Sequence, residues 1–66
     1  MKKQALFRGK ITELEVGEFY SDLAVKFKNL EFRMVVPTST VKEWGLKPED
    51  KVYVLVKGGN VYIFKR

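Results

Sequence analysis

Phe7, Gly9 and Ile11 alternate with Arg8, Lys10 and Thr12, and the apolar phase then shifts by one residue to Leu14 and Val16. Alternation with period two is the pattern of a strand with one face turned inward, and a one-residue change of phase is what a β-bulge produces. A first strand is therefore predicted over residues 6–15. Gly17 with Glu18, Phe19, Tyr20, Ser21 and Asp22 reads as a turn. Leu23, Val25 and Phe27 then alternate with Ala24, Lys26 and Lys28, which predicts the second strand. Asn29 marks the next turn. Phe32, Met34 and Val36 alternate with Glu31, Arg33 and Val35 until Pro37, which has no N–H to give a ladder, ends the third strand.

From Thr38 to Leu46 the period changes. Thr38, Ser39 and Thr40 are N-cap residue types, Thr40 and Glu43 have capping-box spacing, and Gly45 stands where a left-handed residue closes a helix, so one or two helical turns are predicted. Lys47-Pro48-Glu49-Asp50 is a turn, and Val52, Val54 and Val56 alternating with Tyr53 and Leu55 give a fourth strand. Gly58-Gly59 is a two-residue hairpin signal. Pairing outward from it sets Lys57 against Asn60, Val56 against Val61, Leu55 against Tyr62, Val54 against Ile63 and Tyr53 against Phe64. One face of this hairpin is aliphatic. The other carries Tyr53, Leu55, Tyr62 and Phe64, where a half-solvated sheet would be polar. A surface this apolar predicts a contact between subunits through those four residues, or a barrel curled so that one chain covers both faces.

Size agrees with association. A chain of 66 residues shields only about 60% of the surface its unfolded form exposes, so a single domain spanning residues 1–66 gains from a staple. No cysteine and no histidine are present, which removes disulfides, thiolate sites and the commonest metal ligand. Their loss also leaves few nucleophile and base pairings, and no enzyme is expected. Thirteen Lys and Arg against eight Asp and Glu give a net charge of +5, which favours anionic partners without choosing among them. Ala5-Leu6-Phe7 ends at Arg8, too short for a signal core or a membrane span, so a cytoplasmic, soluble chain is expected.

Five strands with one short helix between the third and fourth predict an all-β fold with the outline of a small OB-like barrel. The residues resemble the TOBE domains, in particular the stand-alone molybdate-binding form known as molbindin or Mop. The resemblance covers nearly the whole chain. It rests on Arg8-Gly9-Lys10-Ile11 with Gly17 eight residues after Gly9, on Thr38-Ser39-Thr40 leading to Gly45-Leu46-Lys47-Pro48, on Asp50-Lys51-Val52, and on Val56-Lys57 shortly before Val61 and Ile63. It implies molybdate or tungstate bound between the subunits of a strand-exchanged dimer, assembled further into a hexamer in the stand-alone proteins, for storage or homeostasis. Residue by residue it places Lys57 near the oxyanion and Thr38, Ser39 and Thr40 in the hydroxyl-bearing turn; Gly58 and Gly59 offer further backbone donors. A tetrahedral dianion is suited by such a set.

Three departures support other readings. Lys2-Lys3-Gln4-Ala5 stands where molbindins carry Ser-Ala-Arg-Asn, Gly58-Gly59 where they carry Ala-Ser, and Pro37 where they carry threonine. A TOBE-like structural or regulatory module without the anion is one alternative. The other, motivated by the positive charge, is a nucleic-acid binder with an OB-like or AbrB-like surface, the latter resembled by Val36-Pro37, Gly45-Leu46-Lys47-Pro48 and Asp50-Lys51-Val52. Against nucleic acid, Phe27 and Phe32 fall on the core phase, only Tyr20 reads as a free aromatic, and Glu13, Glu15, Asp22 and Glu31 dilute Arg8, Lys10, Lys26, Lys28 and Arg33. Trp44 reads as a plug in the core or the interface.

Overall fold

The computed structural model describes residues 4–65. The all-β prediction holds. β1 (Gln4–Val16), β2 (Tyr20–Phe27), β3 (Leu30–Pro37), α1 (Thr38–Trp44), β4 (Lys51–Lys57) and β5 (Asn60–Phe64) follow in that order. The strands form one antiparallel sheet in the order β3-β2-β1-β4-β5, curled into a half-barrel with α1 between its third and fourth strands. Lys2 and Lys3, where the first departure from the molbindin pattern falls, lie outside the described residues.

Three local features form as expected. The register of β1 with β2 shifts between Ile11 and Glu13, so the bulge is real. Before it, Phe7, Gly9 and Ile11 face inward; after it Leu14 does, and Val16 lies on the same face but is exposed. Gly58 and Gly59 have φ of 56° and 84°, the two positive values that a tight hairpin needs, and β4 pairs β5 in the anticipated register. Gly45, at φ 60°, closes α1 with its N–H on the Lys42 carbonyl.

The core is Ile11, Leu23, Val25, Val36, Val41, Leu46, Val52, Val54 and Ile63, with Phe7, Leu14, Met34 and Val56 packed against it. Each such aliphatic side chain, taken fully out of water, contributes roughly 1.5–3 kcal/mol. Because the half-barrel is open between β3 and β5, two expected core residues are only partly covered. Phe32 is 37% exposed and meets Phe7 at a centroid distance of 5.7 Å, while Phe27 is half-buried against Phe7 at 5.2 Å. Trp44, 40% exposed, plugs neither the core nor any closed site; it lies along a groove between α1 and β5.

The capping prediction fails, for a tertiary reason. Pro37 is the N-cap, in an extended conformation, and no side chain caps the helix. Thr40 sits inside the first turn, and the Thr38 hydroxyl is drawn away from the helix amides. The turn after β1 is also shorter than predicted, so Ser21 belongs to β2 and points inward.

The segment before β4 is fastened from two sides. Ile11 N–H donates to the Asp50 carbonyl at 2.9 Å and the Ile11 carbonyl accepts from Glu49 N–H at 2.7 Å. Lys65 Nζ reaches Asp50 Oδ2 at 3.1 Å, and Lys47 N–H donates to the same oxygen at 3.1 Å. The Lys65 hydrogen bond holds the Asp50 carboxyl below its usual range, against an opposing effect of burial. A depressed carboxyl stabilises the fold above the unfolded-state value of about 3.9, and that contribution is lost as pH falls through the folded value. Thermal melts of the parent and Asp50→Asn are therefore expected to differ most near neutral pH and to converge in strong acid; a gap independent of pH would contradict the assignment.

Candidate functional site

The hydroxyl turn is pinned at the carboxyl end of β1. Thr38 Oγ1 lies 2.8 Å from the Gly17 carbonyl and 2.8 Å from Ser21 Oγ. Thr38 has one hydroxyl proton, and a carbonyl only accepts, so that proton goes to Gly17 and Ser21 is the donor to Thr38. Thr38 N–H also donates to the Phe19 carbonyl at 2.9 Å. Ser21 and Thr38 are 0% and 4% exposed. Thr38 is thus buried with its donors committed, whereas Ser39 is exposed and Thr40 half-buried beside Pro37 and Trp44. Nothing in the sequence reading selected Ser21. The signal was available, because the inward phase of Leu23 and Val25 extends back to residue 21.

Lys57 closes β4 as an exposed cation beside Gly58 and Gly59. Its register partner on β1 is Gln4. The lysine therefore stands beside the amino end of β1 and the hydroxyl turn beyond its carboxyl end. Within one protomer Lys57, Gly58 and Gly59 form one group, Thr38, Ser39 and Thr40 another, and the two do not converge.

The apolar outer face is present and wider than the hairpin. Leu6, Leu55 and Tyr62 are consecutive register partners across β1, β4 and β5, and so are Arg8, Tyr53 and Phe64. The rings of Tyr53 and Phe64 stack at 5.5 Å and 14°. The Arg8 guanidinium carbon lies 5.9 Å from the Tyr53 ring centroid, within the range of a cation–π contact. Leu6 is 58% and Tyr62 50% exposed.

On β1 to β3 the outer face is ionic. Arg33 Nη2 lies 2.8 Å from Glu13 Oε1, and this hydrogen bond raises the guanidinium above its already high value. Thr12 Oγ1 donates to Glu31 Oε2 at 3.1 Å. Exposed pairs of this kind contribute little to stability. Among the described residues no cluster of three or more acidic side chains is arranged to hold a metal, and no helix is long and apolar enough to cross a membrane.

Five antiparallel strands curled into a half-barrel with one short helix define a small all-β, OB-like module. The family model of the TOBE domain matches residues 4–63, and the chain belongs to the TOBE domain family. TOBE domains are small binding or regulatory domains, not enzymes, and are associated with molybdate-binding proteins. No curated protein and no solved structure matches the chain significantly.

Proposed function

We propose that the protein is a cytoplasmic, non-enzymatic oxyanion-binding protein of the molbindin kind, which stores or buffers molybdate or tungstate between the subunits of a homo-oligomer. Membership of the TOBE family over residues 4–63 is the observation that carries this reading. The geometry gives it a form. Lys57 supplies the point charge, Gly58 and Gly59 backbone donors, and Ser39 and Thr40 hydroxyls. Thr38 orders the turn, its own proton being held by Gly17. Because the lysine and the hydroxyls lie at opposite ends of β1, one anion is shared between them only if they come from different protomers. Tyr53, Leu55, Tyr62 and Phe64, extended by Leu6, are the surface through which copies associate, as a dimer or a higher assembly up to the hexamer.

Titration calorimetry with molybdate, tungstate, sulfate and phosphate is expected to give heat with the first two, and Lys57→Ala to weaken it at least tenfold. No heat from any of the four at micromolar protein would sink the reading. The commitment of Thr38 favours one second reading, a TOBE-like structural or regulatory module that assembles without an anion. An oligomer that is stable under native conditions and free of molybdenum and tungsten by elemental analysis would establish it.

A further inference from the structure

The charges on the outer face of the sheet are sorted by the bulge. Before it, β1 turns Arg8 and Lys10 outward; beyond it, Glu13 and Glu15. Lys10 is the register partner of both Lys26 on β2 and Lys51 on β4, so three lysines stand side by side on three adjacent strands. With strands about 4.8 Å apart the row is about 10 Å long. Together with Arg8 and the backbone of Gly9 the three line a shallow hollow to which no carboxylate contributes. Two acids lie at its margins. Glu49 pairs with Lys10 at 3.3 Å, and Glu31, partner of Lys26 on β3, is engaged by Thr12. Lys26 and Lys51 form no ion pair among the described residues.

Like charges set directly opposite one another destabilise a sheet. The row is therefore a local cost to the free protein that an anion relieves. Lysine is a flexible point charge suited to phosphate, without the rigid planar fork that arginine brings to bidentate contacts. A single small anion satisfies part of a row that spans three strands, whereas successive phosphates satisfy all of it. We propose that Lys26, Lys10 and Lys51, flanked by Arg8, bind a chain of linked phosphates, of the kind carried by single-stranded nucleic acid or inorganic polyphosphate. This site is separate from Lys57 and the hydroxyl turn, and only Arg8, beside Tyr53, borders the apolar surface assigned to association.

The test uses the full chain, a labelled single-stranded oligonucleotide followed by fluorescence anisotropy, and competition by inorganic polyphosphate and by orthophosphate. Both polyanions are expected to bind at low salt, and orthophosphate to compete no better than chloride at equal ionic strength. Binding of one polyanion and not the other identifies the source of the phosphates. The double variant Lys26→Gln/Lys51→Gln is expected to bind at least tenfold more weakly, with a salt slope shallower by about 1.4, and to melt at a higher temperature than the parent. Lys42→Gln/Lys47→Gln removes the same charge from exposed positions elsewhere and is expected to change affinity less than about twofold. Equal losses in the two double variants, competition by orthophosphate at the same phosphate concentration, a lower melting temperature in the first variant, or no binding of either polyanion at low salt would each overturn the proposal.

Discussion

Thr38→Val is expected to lower stability by about 2–3 kcal/mol, the combined effect of one lost hydrogen bond and one stranded buried hydroxyl. In a domain of this size that is a fall in melting temperature on the order of 10–20 °C. The side chain keeps its shape, so packing changes little. What changes is that Ser21, 0% exposed, loses the acceptor at 2.8 Å and has no water to replace it. The Gly17 carbonyl, in an exposed turn, is hydrated at less cost. Removing both hydroxyls is therefore expected to be milder than removing Thr38's alone, and the Ser21→Ala/Thr38→Val variant should recover part of the loss. Thermal melts of the two single variants and the double variant form the cycle. Additive effects would show that the pair is not coupled.

The second large effect is expected at Gly9. A Cβ there would lie 2.6 Å from Val25 Cγ1 and 2.7 Å from the Lys26 carbonyl oxygen. The first contact is with a core side chain and the second with the backbone of the paired strand, so neither neighbour can yield without moving β2. Gly9→Ala is expected to cost about 1–3 kcal/mol, the range for overpacking. Truncating Val25 in the same background relieves only the side-chain contact and leaves the carbonyl. Amide hydrogen exchange gives a local readout: protection should fall along the β1–β2 ladder more than along β4–β5, and uniform loss would argue against a local clash. Lys10 and Lys26 are partners on that ladder, so the same substitution would also disturb the lysine row.

Features set by adjacent residues were legible in the sequence. The hairpin register followed from Gly58-Gly59 because a two-residue turn admits only one pairing, and the bulge followed from the change of phase after Ile11. Pro37 and Gly45 ended their elements for backbone reasons that no neighbour could override. The candidate site was less legible. Thr38 and Ser21 are 17 residues apart, and local spacing offered a capping box that the buried contact displaced. Lys10, Lys26 and Lys51 come from three strands, and only the registers of β1 with β2 and β4 bring them into one row. Counted along the chain, the acids dilute the bases; on the folded sheet Glu13 and Glu15 lie on the far side of the bulge. Phe32 is less covered than expected because periodicity assigns a direction to a side chain but not a cover above it.

The bulge between Ile11 and Glu13 also governs how relatives of this chain should be compared. In a loop, gaining or losing one residue alters length and little else. Here parity matters, because a strand reverses its faces with every single-residue slip. Deleting Thr12 alone would remove the bulge and leave a plain alternation, with Glu13 and Glu15 still outward and Leu14 and Val16 still on the inner face. Loss of the one bulged residue preserves the two faces of β1, whereas loss of one residue elsewhere in the strand, with the bulge kept, inverts the part beyond it. A relative aligned with a one-residue gap at this point has lost its bulge and kept the two faces of the strand.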